Sequence, residues 1–436
     1  MPLPLLLLAL VASVGDPTDR PAELRAAAVA LASTEPGHGD ISDLAPLTDL
    51  VGDARVVSLG EMTHGDGTAF LARTRLVKFL HARMGFDVLA FESGLVECER
   101  VMEALRTDVP IDEAIALGIY DVWALSAEIR PLFEYVRATQ DTDRPLRLVG
   151  FDPQFSAKTS AGMLRGEIVR ALDPEAEVVA ELERMLAALG DVSTTVSADA
   201  FGTWSALLDD LEQQLSSLTD DGAALVRQAI VSLRWQLRNR RLGSTAPPVD
   251  FRDLDRSLQV SQRIEAGNAR DAGMADTLLW HLDERWPGSK IVLWAANNHV
   301  RTASTGQASD DPDVRERPMG ELLDEALGED LYTLVTTCFE GAWASPSLRS
   351  ADGSVSWQQG THERASAGTL AALLHETGLD VAWLDLDVAS ERYPWLASPL
   401  TLRDGFLDGP PGVLADACDA ILFLDVIEPA TPAEPP

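Results

Sequence analysis

Apolar positions along the chain fall into two kinds of run. Short continuous stretches of strand length end in charged or amide residues, and longer stretches with apolar residues three and four apart read as helices. Four short runs share one layout. Val56–Leu59 stops at Gly60 and is followed by Glu61, Met62, Thr63 and His64. Phe86–Phe91 ends in Glu92, Leu146–Phe151 ends in Asp152, and Lys290–Ala295 leads into Asn297, Asn298 and His299. In an open α/β sheet, ligands sit beyond the carboxyl ends of the strands, because the strand backbone is fixed while the following loop presents side chains. If the four runs are parallel neighbours, their polar tips share one crevice.

After the first run, Phe70, Val77, Leu80 and Met84 recur at helical spacing and Gly85 stands where a C-cap would. Strand, helix and next strand then predict one right-handed βαβ unit, with Glu92 on the strand adjacent to Glu61. Helices are also expected over 20–34, 40–51, 99–118 and 125–139. From 157 to 245 no β-branched run appears, and helices near 174–189, 198–217 and 220–241 read as an insertion, either a cap over the crevice or a stabilising bundle. A long helix is expected over 253–285 and another over 319–327, then a strand over 331–339 broken at Gly341, a helix at 367–377 and strands at 381–386 and 420–427. The predicted fold class is α/β, a largely parallel sheet flanked by helices in three layers. It divides into lobe segments 20–156 and 248–345, the helical insertion 157–247, a smaller C-terminal α/β portion 346–427 and a frayed tail 428–436.

Composition narrows the function. The 436 residues are 46% hydrophobic and 24% charged, which is globular, and the formal charge of −34 repels phosphate backbones, so nucleic acid is not expected as a partner. The first fifteen residues hold an apolar run of signal-peptide length, too short for a stable membrane span, followed by small residues but preceded by no Lys or Arg. They are read as a signal for export to the periplasm or beyond; if the run is not a signal, a cytoplasmic protein is the alternative. No other run is long enough for an integral membrane span. Cys98, Cys338 and Cys418 are scattered, without a CxxC, and imply neither a disulfide framework nor a zinc ribbon. No GxSxG, HExxH or Walker A motif is present, and the Gly65-Asp-Gly67 start of a dinucleotide fingerprint lapses at Phe70. No cofactor is assigned, nor an oligomeric state.

The candidate chemistry lies at the strand tips. Glu61 and His64, three apart, can face one point, where the carboxylate fixes the tautomer of the imidazole and raises its basicity, as suits a base that takes a proton from water. The alternative is a turn pair satisfying backbone groups. Glu92 is a second acid or a buried ion-pair member, and Arg73 either neutralises these carboxylates, stabilises an oxyanion or is a surface cation. Asn297, Asn298 and His299 could donate to an oxyanion or cap a turn, and Asn297, Asn298 and Asp152 are the candidate substrate-binding residues. His38, His81, His281, His362 and His375 receive no role.

These segments, taken in order, resemble a known family. Leu59-Gly-Glu61-Met-Thr-His64-Gly65 is similar to the LGExTHG signature of the erythromycin esterases. The Glu92 strand, Val149-Gly-Phe-Asp152, Arg270-Asp271-Ala-Gly-Met274-Ala, Ile291–Val300 and Ala420–Asp425 resemble later segments of that family in the same sequence. The resemblance implies metal-independent hydrolysis of an ester or lactone, with a small-molecule substrate, His64 as general base, and Glu61, Arg73, Glu92 and His299 completing the site. Where the family pattern has two histidines three apart, this chain has Ala296 and His299. Two other readings stay open: an exported binding protein using the same cleft without turnover, and a metal-dependent hydrolase with Glu61, His64, Glu92 and His299 as ligands.

Overall fold

The computed structural model describes residues 17–433 except 192, 193, 195, 244–259, 305–310, 312, 347–354, 405 and 406. The expected signal, residues 1–15, and the start of the expected 253–285 helix lie outside the described residues. The strands are β1 (Val29–Ala30), β2 (Val56–Glu61), β3 (Phe86–Gly94), β4 (Arg147–Asp152), β5 (Lys290–Ala296), β6 (Leu331–Pro346), β7 (Trp357–His362), β8 (Val381–Asp385), β9 (Arg403–Asp404), β10 (Leu407–Asp408) and β11 (Ala420–Ile427). Nine of them make one sheet in the order β1-β8-β11-β6-β2-β5-β3-β4, with β7 paired to the far end of β6. From β11 to β4 the strands are parallel, while β8, β1 and β7 run antiparallel to their neighbours. The parallel strands are buried on both faces, which is why they read as continuous apolar runs.

Alternate residues of each strand feed two cores. Val57, Leu59, Leu89, Phe91 and Trp294 face one side, covered by α2 (Leu47–Val51), α3 (Gly67–Met84), α4 (Leu95–Leu105), α5 (Ile111–Ala116), α6 (Asp121–Ala124) and α7 (Arg130–Thr139). Val56, Ala90, Val149, Phe151 and Leu293 face the other. That second core includes Leu24 of α1 (Arg20–Ala27). The insertion is α8 (Ser160–Leu172), α9 (Ala176–Gly190), α10 (Ala198–Leu215) and α11 (Asp221–Gly243), with a core of its own that reaches Leu95 and Val96 of α4. Next, α12 (Val260–Trp280) lies along α11, its Met274 and Leu278 in the second core, and it ends in a π-helical turn, His281–Arg285. The rest are α13 (Asn297–Val300), α14 (Met319–Leu327), α15 (Leu370–His375) and α16 (Leu386–Arg392). No helix among the described residues is long and apolar enough to cross a membrane.

Several expectations are corrected. β2 and β3 are not adjacent, because β5 lies between them and pairs with both. The 20–34 helix stops at Ala27, since Val29 and Ala30 are drawn into pairing with β8. Only Leu47–Val51 of 40–51 is α-helical, after a 3-10 turn at Ser42–Leu44. The 99–118 helix is two, because Pro110 has no N–H to continue the ladder and forces its predecessor out of helical geometry. The 125–139 helix opens as a 3-10 turn, Ala127–Ile129, before α7. Gly341 does not end its strand: with φ at 146° it bends β6, which goes on to Pro346 against β7. The smaller C-terminal α/β portion is present and joins the main sheet through β8 and β11. The 428–436 segment is not frayed over its described part, since residues 428–433 are hydrogen-bonded to two other segments and Ala430 is buried.

Candidate functional site

β2 ends on Glu61, whose carboxylate is sealed from solvent, and the chain then turns so that His64 Nδ1 comes to 2.5 Å from Glu61 Oε1. The same oxygen accepts the indole N–H of Trp123, from α6, at 3.0 Å. The other oxygen pairs with Arg73 from α3, whose side chain is fully buried, donates to Leu59 O at 3.3 Å and lies 3.8 Å above the Trp294 ring. Trp123 also meets the His64 ring edge to face, with centroids 4.6 Å apart. With Nδ1 held by Glu61 and 37% of the side chain exposed, Nε2 is the ring nitrogen not engaged by that carboxylate. Burial alone would favour neutral His64. The Glu61 hydrogen bond and charge, with Glu92 behind them, outweigh it and raise the imidazole above its usual 6.5. Burial likewise works against ionised Glu61, but Arg73 and His64 hold its carboxyl below the ordinary range.

A second imidazole–carboxylate pair lies close enough to bear on the His64 proton. His299 Nδ1 lies 2.5 Å from Asp271 Oδ1, and its Nε2 is 3.3 Å from Arg270 Nη1 and 3.6 Å from Glu92 Oε1. Arginine can only donate, so a neutral His299 accepts from Arg270 and gives Nδ1–H to Asp271, while a protonated ring presents Nε2–H to Glu92. Burial lowers the proton affinity of His299, but Asp271 and Glu92 more than compensate and raise it. Arg270 spans the site, donating to Glu92 at 2.9 Å and to the two Asp152 oxygens at 2.6 and 3.2 Å, and Tyr120 OH donates to Asp152 at 3.1 Å.

Two strand-end side chains take over where backbone pairing stops. β3 holds one residue more than β4 between the pairs Phe91–Gly150 and Gly94–Asp152, and this bulge carries Glu92, whose Oε2 accepts the Ala296 N–H at 2.9 Å. β2 leaves β6 after Leu334, and there the Asn297 amide accepts from Thr336 N at 3.1 Å and donates to Thr336 O at 2.8 Å. Buried backbone groups must be paired, so Asn297 is occupied by the sheet and is not placed as a substrate-binding residue. Asn298 is exposed and forms no part of this cluster. Asp152 anchors Arg270, and Arg73 lies beneath Glu61 where it meets neither solvent nor an oxyanion.

The structure thus brings together Glu61, His64, Glu92, Asp152 and His299, with Arg73 as support. Arg270, Asp271, Tyr120 and Trp123 are site residues that the sequence reading left without a role. A charged pair among Ala, Gly and Met on an otherwise apolar helix was the available signal for the first two; nothing local marks the aromatic residues. His362, also left without a role, bonds through Nε2 to Asp66 Oδ1 at 2.8 Å, and Asp66 in turn accepts from Thr63 N and Oγ1. Among the described residues, no group of three or more His, Cys, Asp and Glu could hold a metal ion, and the carboxylates are neutralised by Arg73 and Arg270 instead.

The sequence profile described as erythromycin esterase matches residues 81–427, which carry every segment of this site except the Glu61–Arg73 stretch. The chain belongs to the erythromycin esterase family. A Bacillus subtilis (strain 168) relative named "Putative hydrolase YbfO" is 27% identical over 401 residues, covering 89% of this chain and 87% of its own. Erythromycin esterase type II of Escherichia coli is 26% identical, covering 70% of this chain and 73% of its own. The fold is shared with the erythromycin esterase EreC, solved as a mutant in its open conformation, at a TM-score of 0.69 and 19% identity, covering 90% of this chain and 96% of that one. As an erythromycin esterase family member this chain is placed among hydrolases, and its clustered titratable groups lie at the carboxyl ends of the parallel strands.

Proposed function

We propose that this protein hydrolyses a carboxylic ester or lactone with water activated by His64. The observation that carries the reading is the His64–Glu61 contact, in which a carboxylate clamped by Arg73 and Trp123 fixes one ring nitrogen and leaves the other clear of that contact. Nε2 takes a proton from water as the water oxygen attacks the carbonyl carbon, giving a tetrahedral oxyanion. Arg270, turning a guanidinium N–H from its present partners, and a protonated His299 would donate to that oxyanion, a role that passes from the buried Arg73 to Arg270. Collapse breaks the bond to the alcohol oxygen, which takes the proton back from His64, so that an ester yields one acid and one alcohol and a lactone opens to one hydroxy acid. Ala296 can neither donate nor accept through its side chain, and this leaves His299 as the imidazole on that wall.

The test is a panel of esters and lactones, macrolides included, run with purified wild-type protein and His64→Ala. Wild type should turn over at least one member, and the variant should be slower by about 10²–10⁴-fold, the usual contribution of a general base. Equal rates for the two proteins on every turned-over substrate would remove His64 from the mechanism.

A further inference from the structure

The best-placed feature outside the cleft itself is the segment following β11. Thr68 N donates to Glu428 O at 3.3 Å, Glu428 N to Thr68 Oγ1 at 2.9 Å, and Ala430 N to Gly65 O at 2.8 Å, with a bridge between Asp66 and Pro429. A Cβ on Gly67 would come within 2.8 Å of Pro429 O, so the backbones are at their closest approach. The segment then crosses to the residues just after Trp123. Ala127 N donates to Thr431 O at 2.9 Å, Ala433 N to Leu125 O at 2.7 Å, and Thr431 N and Oγ1 to the Glu128 carboxylate at 2.9 and 2.6 Å.

Its two anchorages are therefore the loop that carries His64 and the segment that carries Trp123, the two groups that share Glu61 Oε1. Gly65 O accepts from Ala430 on one side and from Ala344 of β6 on the other, so both of its lone pairs are used. We propose that residues 428–433 are a strap that positions His64, holding its loop and the Trp123 segment at the separation at which both can bond one carboxylate oxygen. The strap touches no reacting atom. Its residues act through Gly65, Asp66 and Leu125–Glu128, and its kinetic consequence rests on the hydrolytic reading above.

A positioning role is separable from general stabilisation because His64 reports its own surroundings. The charged groups that bear on its proton are Glu61 from β2, Glu92 from β3 and His299 from α13, and the Trp123 ring of α6 lies against it. The experiment compares the full chain with a chain ending at Ile427, reading the His64 ring resonance by NMR through a pH titration; the signal is assigned by its loss in His64→Gln. The shortened chain should keep its far-ultraviolet circular dichroism while His64 titrates at lower pH, nearer 6.5. On any ester the full chain hydrolyses, kcat should fall about tenfold or more with little change in KM, as misplacement of a catalytic group does. Ile230→Ala, in the insertion core, serves as control and should lower the melting temperature without moving the His64 titration. If the shortened chain does not fold, Ala430→Pro removes one of the two N–H groups given to Gly65 O, the one that the strap supplies, and should move the titration in the same direction.

An unmoved His64 titration in a folded shortened chain, or in Ala430→Pro, overturns the strap. An equal shift in Ile230→Ala does so too. The titration needs no substrate, so it decides the strap even if no ester is turned over, whereas a panel without turnover bears on the hydrolytic reading alone.

Discussion

At the scale of single residues, the proposed hydrolysis depends on His64 being held by a carboxylate that is itself held. Because the bound imidazole keeps its proton to higher pH than a free one, and a protonated ring has no lone pair with which to take a proton from water, turnover should fall with acidity on a limb centred above pH 6.5. A kcat/KM profile against pH checks this, and Glu61→Gln, which removes the charge that raises His64, should move the limb to lower pH as it reduces the maximum rate. Asn297 and Asn298 divide differently. Asn297→Ala strands the buried N–H and C=O of Thr336 and should cost about 1–3 kcal/mol in chemical denaturation, whereas Asn298→Ala should change stability by less than about 0.5 kcal/mol. Glu61 and His64 were legible because the chain itself places them three apart at a strand end. Asn297 was misread because an amide after a strand looks the same whether it turns to a ligand or to the neighbouring strand.

At the scale of elements, α3 does two things: it covers the sheet through Phe70 and Val77, and it drives Arg73 beneath the site. That guanidinium is fully buried against Glu61 and the Trp294 ring. Arg73→Met should therefore lower stability by about 3–5 kcal/mol in a urea titration, because it leaves a carboxylate buried without its partner, and should leave KM nearly unchanged because Arg73 cannot reach a bound ester. α12 is the counterpart on the other face, carrying Arg270 and Asp271 to the same cleft. Long elements with clear periodicity, such as α3, α9 and β11, followed the hydrophobic pattern closely. Others did not: β1 forms only because β8 offers an unpaired edge, and the 99–118 helix yields to Pro110.

At the scale of the molecule, 69 acidic residues against 35 basic ones leave a formal charge of −34, while the two cations at the heart of the cleft are both matched to carboxylates. Like charges across so acidic a surface repel, and the Debye length shortens to about 8 Å near 0.15 M salt, so the melting temperature should rise from low to physiological ionic strength. A fall over that range would mean that attractive pairs such as Arg317–Glu325 outweigh the net repulsion. The sequence by itself determined the buried strands, the helical insertion and the polar residues at four strand ends, because apolar periodicity and local spacing are properties of consecutive residues. Only the tertiary structure decided that β5 separates β2 from β3, that Arg270 rather than Arg73 faces the cleft, and that residues 428–433 lie across the His64 loop. Each of these depends on which buried backbone or charged group finds its partner more than a hundred residues away, and no local pattern encodes that pairing.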